Sequence, residues 1–200
     1  GLSSFATGQG ISRGSIWVAR DTFEGQYRVS GQKLIKIEDD SSVTVLGDIS
    51  GTGQTSLTYS LNNLAIVADG KLYYYNPTAG LRQITDTTVG TPIDIVWSDF
   101  RFILTDGEYL FQSKSLNEEE YEPLDFQGSD FQPDKIIGVG INDDNELIAF
   151  NELTTEYFVN TGVNNTTAVS SATANFSYSR IQLKAVKSGI AGTHAKAEYK

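Results

Sequence analysis

Residues 64–75 read LAIVADGKLYYY, two β-forming runs joined by Asp69–Gly70. Asp-Gly between such runs is among the strongest short-range hairpin signals. The pattern recurs. Residues 102–111 (FILTDGEYLF) repeat it around Asp106–Gly107, and residues 27–35 (YRVSGQKLI) carry a weaker copy around Gly31. The glycines at 31, 70 and 107 lie 39 and 37 residues apart, and a fourth copy without its glycine, residues 147–158 (LIAFNELTTEYF), follows about 44 residues later. A strand-built repeat of roughly 40 residues is the signature of a β-propeller blade. The expectation is an all-β chain of four antiparallel blades plus the start of a fifth, part of a larger propeller. Gly31, Gly70 and Gly107 are expected at equivalent turns, with type I′ geometry at both Asp-Gly pairs.

The repeat divides the chain into units of about 11–50, 51–90, 91–134 and 135–179, with another beginning at 180–200, all within one partial propeller domain spanning 1–200. Strands are expected at 15–19, 42–46, 55–59, 81–84, 93–97, 100–105, 135–139, 146–150 and 155–159, with a fresh one at 181–186. Residues 64–68 are apolar on both faces, as a strand covered on both sides must be. Ser98–Asp99 is read as a turn. Residues 115–123 are acidic and poor in β-formers, and the expectation there is a helical turn at 115–122 capped by Ser115 or Asn117. Residues 160–179, rich in Thr, Asn, Ser and Ala, read as a long surface loop, and residues 189–192 as the opening of the fifth blade.

Composition narrows the chemistry. The chain has no cysteine, which removes disulfides, thiol catalysis and cysteine-based zinc sites, and a single histidine, His194, which leaves little room for imidazole chemistry. No early apolar run resembles a signal peptide, and no apolar stretch is long enough to cross a bilayer as a helix, so no membrane insertion is expected. The chain starts at Gly1 and lacks methionine, and it reads as a piece of a longer protein. The net charge is −10. From Arg180 onward, Arg180, Lys184, Lys187, Lys196 and Lys200 face Glu198 alone, a balance of +4, which leaves −14 on the preceding body. Such a body disfavours binding to a phosphate backbone.

The candidate sites each reduce to structure. Residues 142–146 (NDDNE) lack the glycine and the distant glutamate of a calcium loop and read as a hairpin turn. Glu118, Glu119, Glu120 and Glu122 have the composition of paired glycosidase carboxylates, but adjacent glutamates in a proline-bounded stretch read as a solvated acidic face. His194 has no serine elbow near it, and neither 51–53 nor 189–192 has the lysine of a phosphate loop. The glycosylation-type triplets at 165–167 and 175–177 read as chance composition. No catalytic, cofactor or metal residue is assigned.

Three stretches together resemble a known family. Residues 124–138 (LDFQGSDFQPDKIIG), 155–162 (TEYFVNTG) and 187–193 (KSGIAGT) are similar to segments of the packaged-DNA stabilisation proteins, or tail accessory factors, of short-tailed bacteriophages. Arg13–Gly14 is a weaker match. The resemblance implies a non-enzymatic virion protein of the tail, assembled in the host cytoplasm as a ring of identical copies, six-fold in this family. It would sit below the portal and its adaptor, retain packaged DNA, extend the DNA channel and seat the tail needle, with the tailspike as a further neighbour. DNA would pass through without sequence-specific binding. The alternative reading, from acidic loops and many tyrosines, is a carbohydrate-binding or carbohydrate-cleaving propeller.

Overall fold

The first sheet holds β1 (Ser12–Val18), β2 (Gly25–Ser30), β3 (Lys33–Ile37) and β4 (Val43–Asp48), and the second β5 (Ser56–Tyr59), β6 (Leu64–Ala68), β7 (Lys71–Asn76) and β8 (Gly80–Ile84). The third holds β9 (Asp94–Ser98), β10 (Arg101–Thr105), β11 (Leu110–Lys114) and β12 (Asn117–Pro123). In the fourth, β14 (Ile136–Ile141), β15 (Leu147–Asn151), β16 (Thr155–Asn164) and β17 (Phe176–Arg180) follow one another, and the short β13 (Phe126–Gln127) joins parallel to β17 at the outer edge. Every other strand pair is antiparallel. The computed structural model describes residues 10–114, 117–124, 126–127, 134–164, 176–181, 184 and 186–195. The array is the four-bladed part of a β-propeller.

The second strand of each middle sheet shows why the sequence loses its polar alternation there. All five residues of β6 are buried. Leu64, Ile66 and Ala68 join Tyr73 and Tyr75 against the first sheet, packing on Val18, Tyr27, Val29 and Leu34. Ala65 and Val67 point the other way and, with Leu72 and Tyr74, meet Phe102, Leu104 and Phe111 of the third sheet. In β10 the same division sends Ile103 toward Val139, Leu147 and Phe158 of the fourth. Successive side chains of a strand point to opposite faces, so one strand serves two interfaces.

The hairpins place Gly31, Gly70 and Gly107 between the second and third strands of successive sheets. Asp69 and Gly70 have φ of +53° and +67°, the type I′ signature. The second Asp-Gly pair departs from expectation. Gly107 is at φ +97°, but Asp106 is not in the left-handed region, and the connection between β10 and β11 is four residues long. The cause is the Asp106 side chain, whose Oδ1 accepts the N–H groups of Glu108 and Tyr109 at 2.9 and 2.8 Å. Such an Asx turn replaces the tight hairpin.

Other expectations are corrected. The stretch 117–123 is a strand, β12, not a helical turn, because Tyr121 is buried beside Tyr74 and the flanking glutamates bond to neighbouring side chains. Ser115, the other cap considered, lies outside the described residues. The turn before β10 is Asp99–Phe100 rather than Ser98–Asp99, since Ser98 pairs with Arg101. β16 continues to Asn164, so the loop expected over 160–179 begins later; residues 165–175 lie outside the described set. Residues 182, 183 and 185 of the strand expected over 181–186 lie outside the described set, and among the described residues of 181–195 no further strand forms. Val186 makes an isolated bridge to Thr155, and the segment then lies against the β15–β16 turn.

Candidate functional site

The first strands of the four sheets, β1, β5, β9 and β14, line a common cavity of about 750 Å³. Ile16, Leu57, Trp97, Ile141 and Phe150 supply its apolar wall, and Asp143 and His194 reach it as well. Polar side chains stitch this inner layer together. Asp94 opens β9 and is 1% exposed. Its Oδ1 accepts the Ser56 hydroxyl of the second sheet at 2.6 Å, and its Oδ2 accepts the Val139 N–H of the fourth at 2.8 Å. One carboxylate thus spans three sheets. Charge-assisted bonds of this kind are about twice as strong as neutral ones.

Arg13 does the same between the first two sheets. Its guanidinium donates to the carbonyls of Gly53, Gly31 and Ser50 at 2.5, 3.0 and 2.8 Å. Burial pulls its pKa below the ordinary value, against the opposing pull of Asp69. The Thr55 N–H closes the seam by donating to the Arg13 carbonyl at 2.9 Å.

The glutamate run acts at the outer layer. Glu118 Oε2 accepts from Ser60 at 2.9 Å and Asn63 at 2.6 Å, both in the β5–β6 turn. Tyr74 donates to the Glu118 carbonyl at 2.7 Å, and its hydroxyl is hydrogen-bonded to that of Tyr121. Burial drives both phenols well above their usual pKa. Arg82 grips Glu119, Lys114 bonds to Glu120 at 2.6 Å, and Glu122 accepts from Gln112 at 3.0 Å beside the buried Arg101. Burial raises the Glu122 pKa in spite of Arg101. Glu118 and Glu122 are half-buried ties between the second and third sheets and within the third, whereas Glu119 and Glu120 are exposed, as the solvated face expected from composition requires. They are spread along one strand and converge on no common cleft.

The 142–146 stretch is the hairpin turn expected. Asn142 Oδ1 accepts the N–H groups of Asp144 and Glu146 at 3.1 and 2.8 Å, and Glu146 also bonds to Lys184. Among the described residues no group of three or more His, Cys, Asp or Glu side chains is arranged to hold a metal. His194 is exposed at the cavity edge.

Described residues from each of the three stretches that carried the family resemblance meet at one corner of the fourth sheet. Asp134, from the first, accepts the Leu153 N–H at 2.9 Å and the Thr154 hydroxyl at 3.0 Å. Thr155, from the second, donates its hydroxyl to the Ser188 carbonyl at 2.7 Å. In the third, the Ile190 N–H donates to the Asn151 carbonyl at 3.1 Å, and the Thr193 hydroxyl to the Ile137 carbonyl at 2.7 Å. A Cβ on Gly189 would lie 2.1 Å from the Glu152 carbonyl oxygen, so only glycine fits there. A family model described as "Bacteriophage P22 Gp10, beta-propeller" matches residues 1–200.

The chain belongs to this family. The tail hub protein gp10 of Salmonella phage P22 is 29% identical over 204 residues, a match that covers 95% of this chain and 40% of that protein. The chain therefore spans well under half the length of its curated relative. Among solved structures, the extracellular domain of a hybrid two-component system from B. thetaiotaomicron superimposes with a TM-score of 0.58 at 11% identity, over 88% of this chain and 22% of that one. Virginiamycin B lyase from Staphylococcus aureus gives 0.54 at 9% identity, over 86% and 57%. At such identities the likeness is one of fold. The protein is a homologue of a phage tail structural protein.

The residues that tie the inner layer were not singled out by sequence. Asp94 looks like an ordinary strand-end aspartate, and Arg13 enters only as part of a weak family match, with no sign of its role as a clamp.

Proposed function

We propose that this chain forms part of a non-enzymatic ring in the phage tail, below the portal and adaptor, which retains packaged DNA, extends its channel and seats the tail needle. The observation that carries this reading is the family match over residues 1–200, with the resembling segments serving as structural ties rather than as reactive groups. The whole stretch 1–200 acts as one partial propeller built from the units given above. The acidic body suits a conduit for a polyanion, since each phosphate neutralised by Lys or Arg adds affinity and would slow passage. The glutamates that suggested carbohydrate cleavage are each occupied in holding sheets. No catalytic residue or cofactor belongs to this reading.

The test is a phage carrying a deletion of the gene, complemented or not. Without the protein, filled heads should lose DNA after packaging, and tails should lack density below the adaptor by electron microscopy. Heads that stay full and carry needles would overturn the proposal.

A further inference from the structure

The two-residue turn between β9 and β10 has Asp99 at φ +49° and Phe100 at φ +61°. A type I′ turn demands positive φ at both central positions, which Asp, Asn and Gly tolerate and a bulky aromatic residue does not. Between β6 and β7 this chain meets the same demand with Asp69–Gly70. At 99–100 it holds a phenylalanine in the strained backbone and leaves it 69% exposed. Burial therefore does little to offset the strain. Strained residues persist where the surrounding structure fixes them, and they cluster at contact and switch sites.

The surroundings do fix this turn. Asp99 accepts the side-chain N–H groups of Asn145 at 2.7 Å and Asn160 at 3.1 Å, and the Tyr178 hydroxyl at 3.2 Å. Beside it lies a shallow recess of about 250 Å³ lined by Asp99, Asp144, Asn145, Val159 and Asn160. Val159 is 42% exposed at its rim, and Asp143 and Asp144 are exposed next to it. The result is an apolar knob beside an acidic notch.

We propose that this tip docks another protein of the tail, one that offers an apolar socket to Phe100 and a lysine or arginine to the notch. Charge selects the partner. A second copy of this chain would bring an acidic body, −14 before Arg180, against an acidic rim, and Lys184 of its basic tail is already paired with Glu146. The inference rests on the tail assignment proposed above.

The test adds full-length protein to particles purified from an infection that lacks it, as wild type, Phe100→Gly and Asp144→Lys, at 0.15 M and 1 M salt. Phe100→Gly should melt at the same or a higher temperature than wild type yet bind particles about tenfold more weakly, as an interface anchor does. Asp144→Lys should also bind more weakly, and wild-type binding should fall at high salt. Absence of wild-type binding would overturn the tail assignment and this inference with it. Wild-type binding matched by Phe100→Gly, or by Asp144→Lys, would overturn the docking tip alone. A lower melting temperature for Phe100→Gly would show that the side chain serves the fold, and a changed oligomeric state by sedimentation would give the tip to a second copy. Either result also overturns the proposal.

Discussion

At the scale of single residues, the inner carboxylate of Asp94 is the most exacting position. Asp94→Ala leaves the Ser56 hydroxyl and the Val139 N–H without their acceptor in a buried seam. The expected cost is about 3 kcal/mol, given that losing the partner of a buried polar group costs about 1–3 kcal/mol each. The urea midpoint should fall while the m-value stays constant, and Asp94→Asn should lose less. Asp86 gives a pH-dependent counterpart. Burial pushes its pKa up, but hydrogen bonds from Thr88, Val89 and the Tyr121 N–H outweigh burial and leave it below the ordinary value. A carboxyl whose folded pKa is depressed stabilises the protein above its unfolded pKa of about 3.9, and that stability is lost as pH falls through the folded value. Acid titration of Asp86→Asn should therefore show a shallower loss of stability below about pH 4 than wild type. Equal slopes would assign the acid sensitivity to other carboxylates.

At the scale of elements, the hairpins test how strictly the turns constrain the sheets. Gly70 sits at φ +67°, and a Cβ there would come 2.4 Å from Thr91 Cγ2. Gly70→Ala should cost about 1–2 kcal/mol from the left-handed backbone alone. Gly53 is the control, since a methyl group there would meet nothing within 4 Å and its φ is not positive. Gly53→Ala should change the stability by less than about 0.5 kcal/mol, as ordinary surface substitutions do. These elements also show what was legible in the sequence. Residues 64–68 and the Asp-Gly pairs announced the strands and the positions of the turns, because hydrophobic pattern and turn chemistry are local. The geometry at Asp106 was not legible, since it depends on which backbone N–H groups its carboxylate captures. The strand at 117–123 was hidden for a related reason. Its propensity is poor, and it is held extended by Ser60, Asn63, Tyr74 and Arg82 from another sheet. The clamps themselves left no sequence signal, because a tie between sheets joins residues dozens of positions apart.

At the scale of the whole molecule, the sheets form a series in which each packs mainly on its neighbours. Stability in such arrays is a sum of unit and interface contributions, and opening starts where interfaces are fewest. Hydrogen exchange should be slowest in β6 and β10, whose side chains are buried on both faces. It should be faster in β4, the partly exposed outer strand of the first sheet. Uniform protection across all four sheets would mean that they open as one unit. The clamp at Asp94 bears on a different property, resistance to being stretched around the axis. Any push from the cavity outward would try to spread the inner strands apart, and it would load the Ser56–Asp94 and Asp94–Val139 bonds end to end. The inner layer then behaves as a stretch of barrel hoop, in which circumferential tension passes from sheet to sheet through the Arg13 and Asp94 ties and the bore keeps its radius.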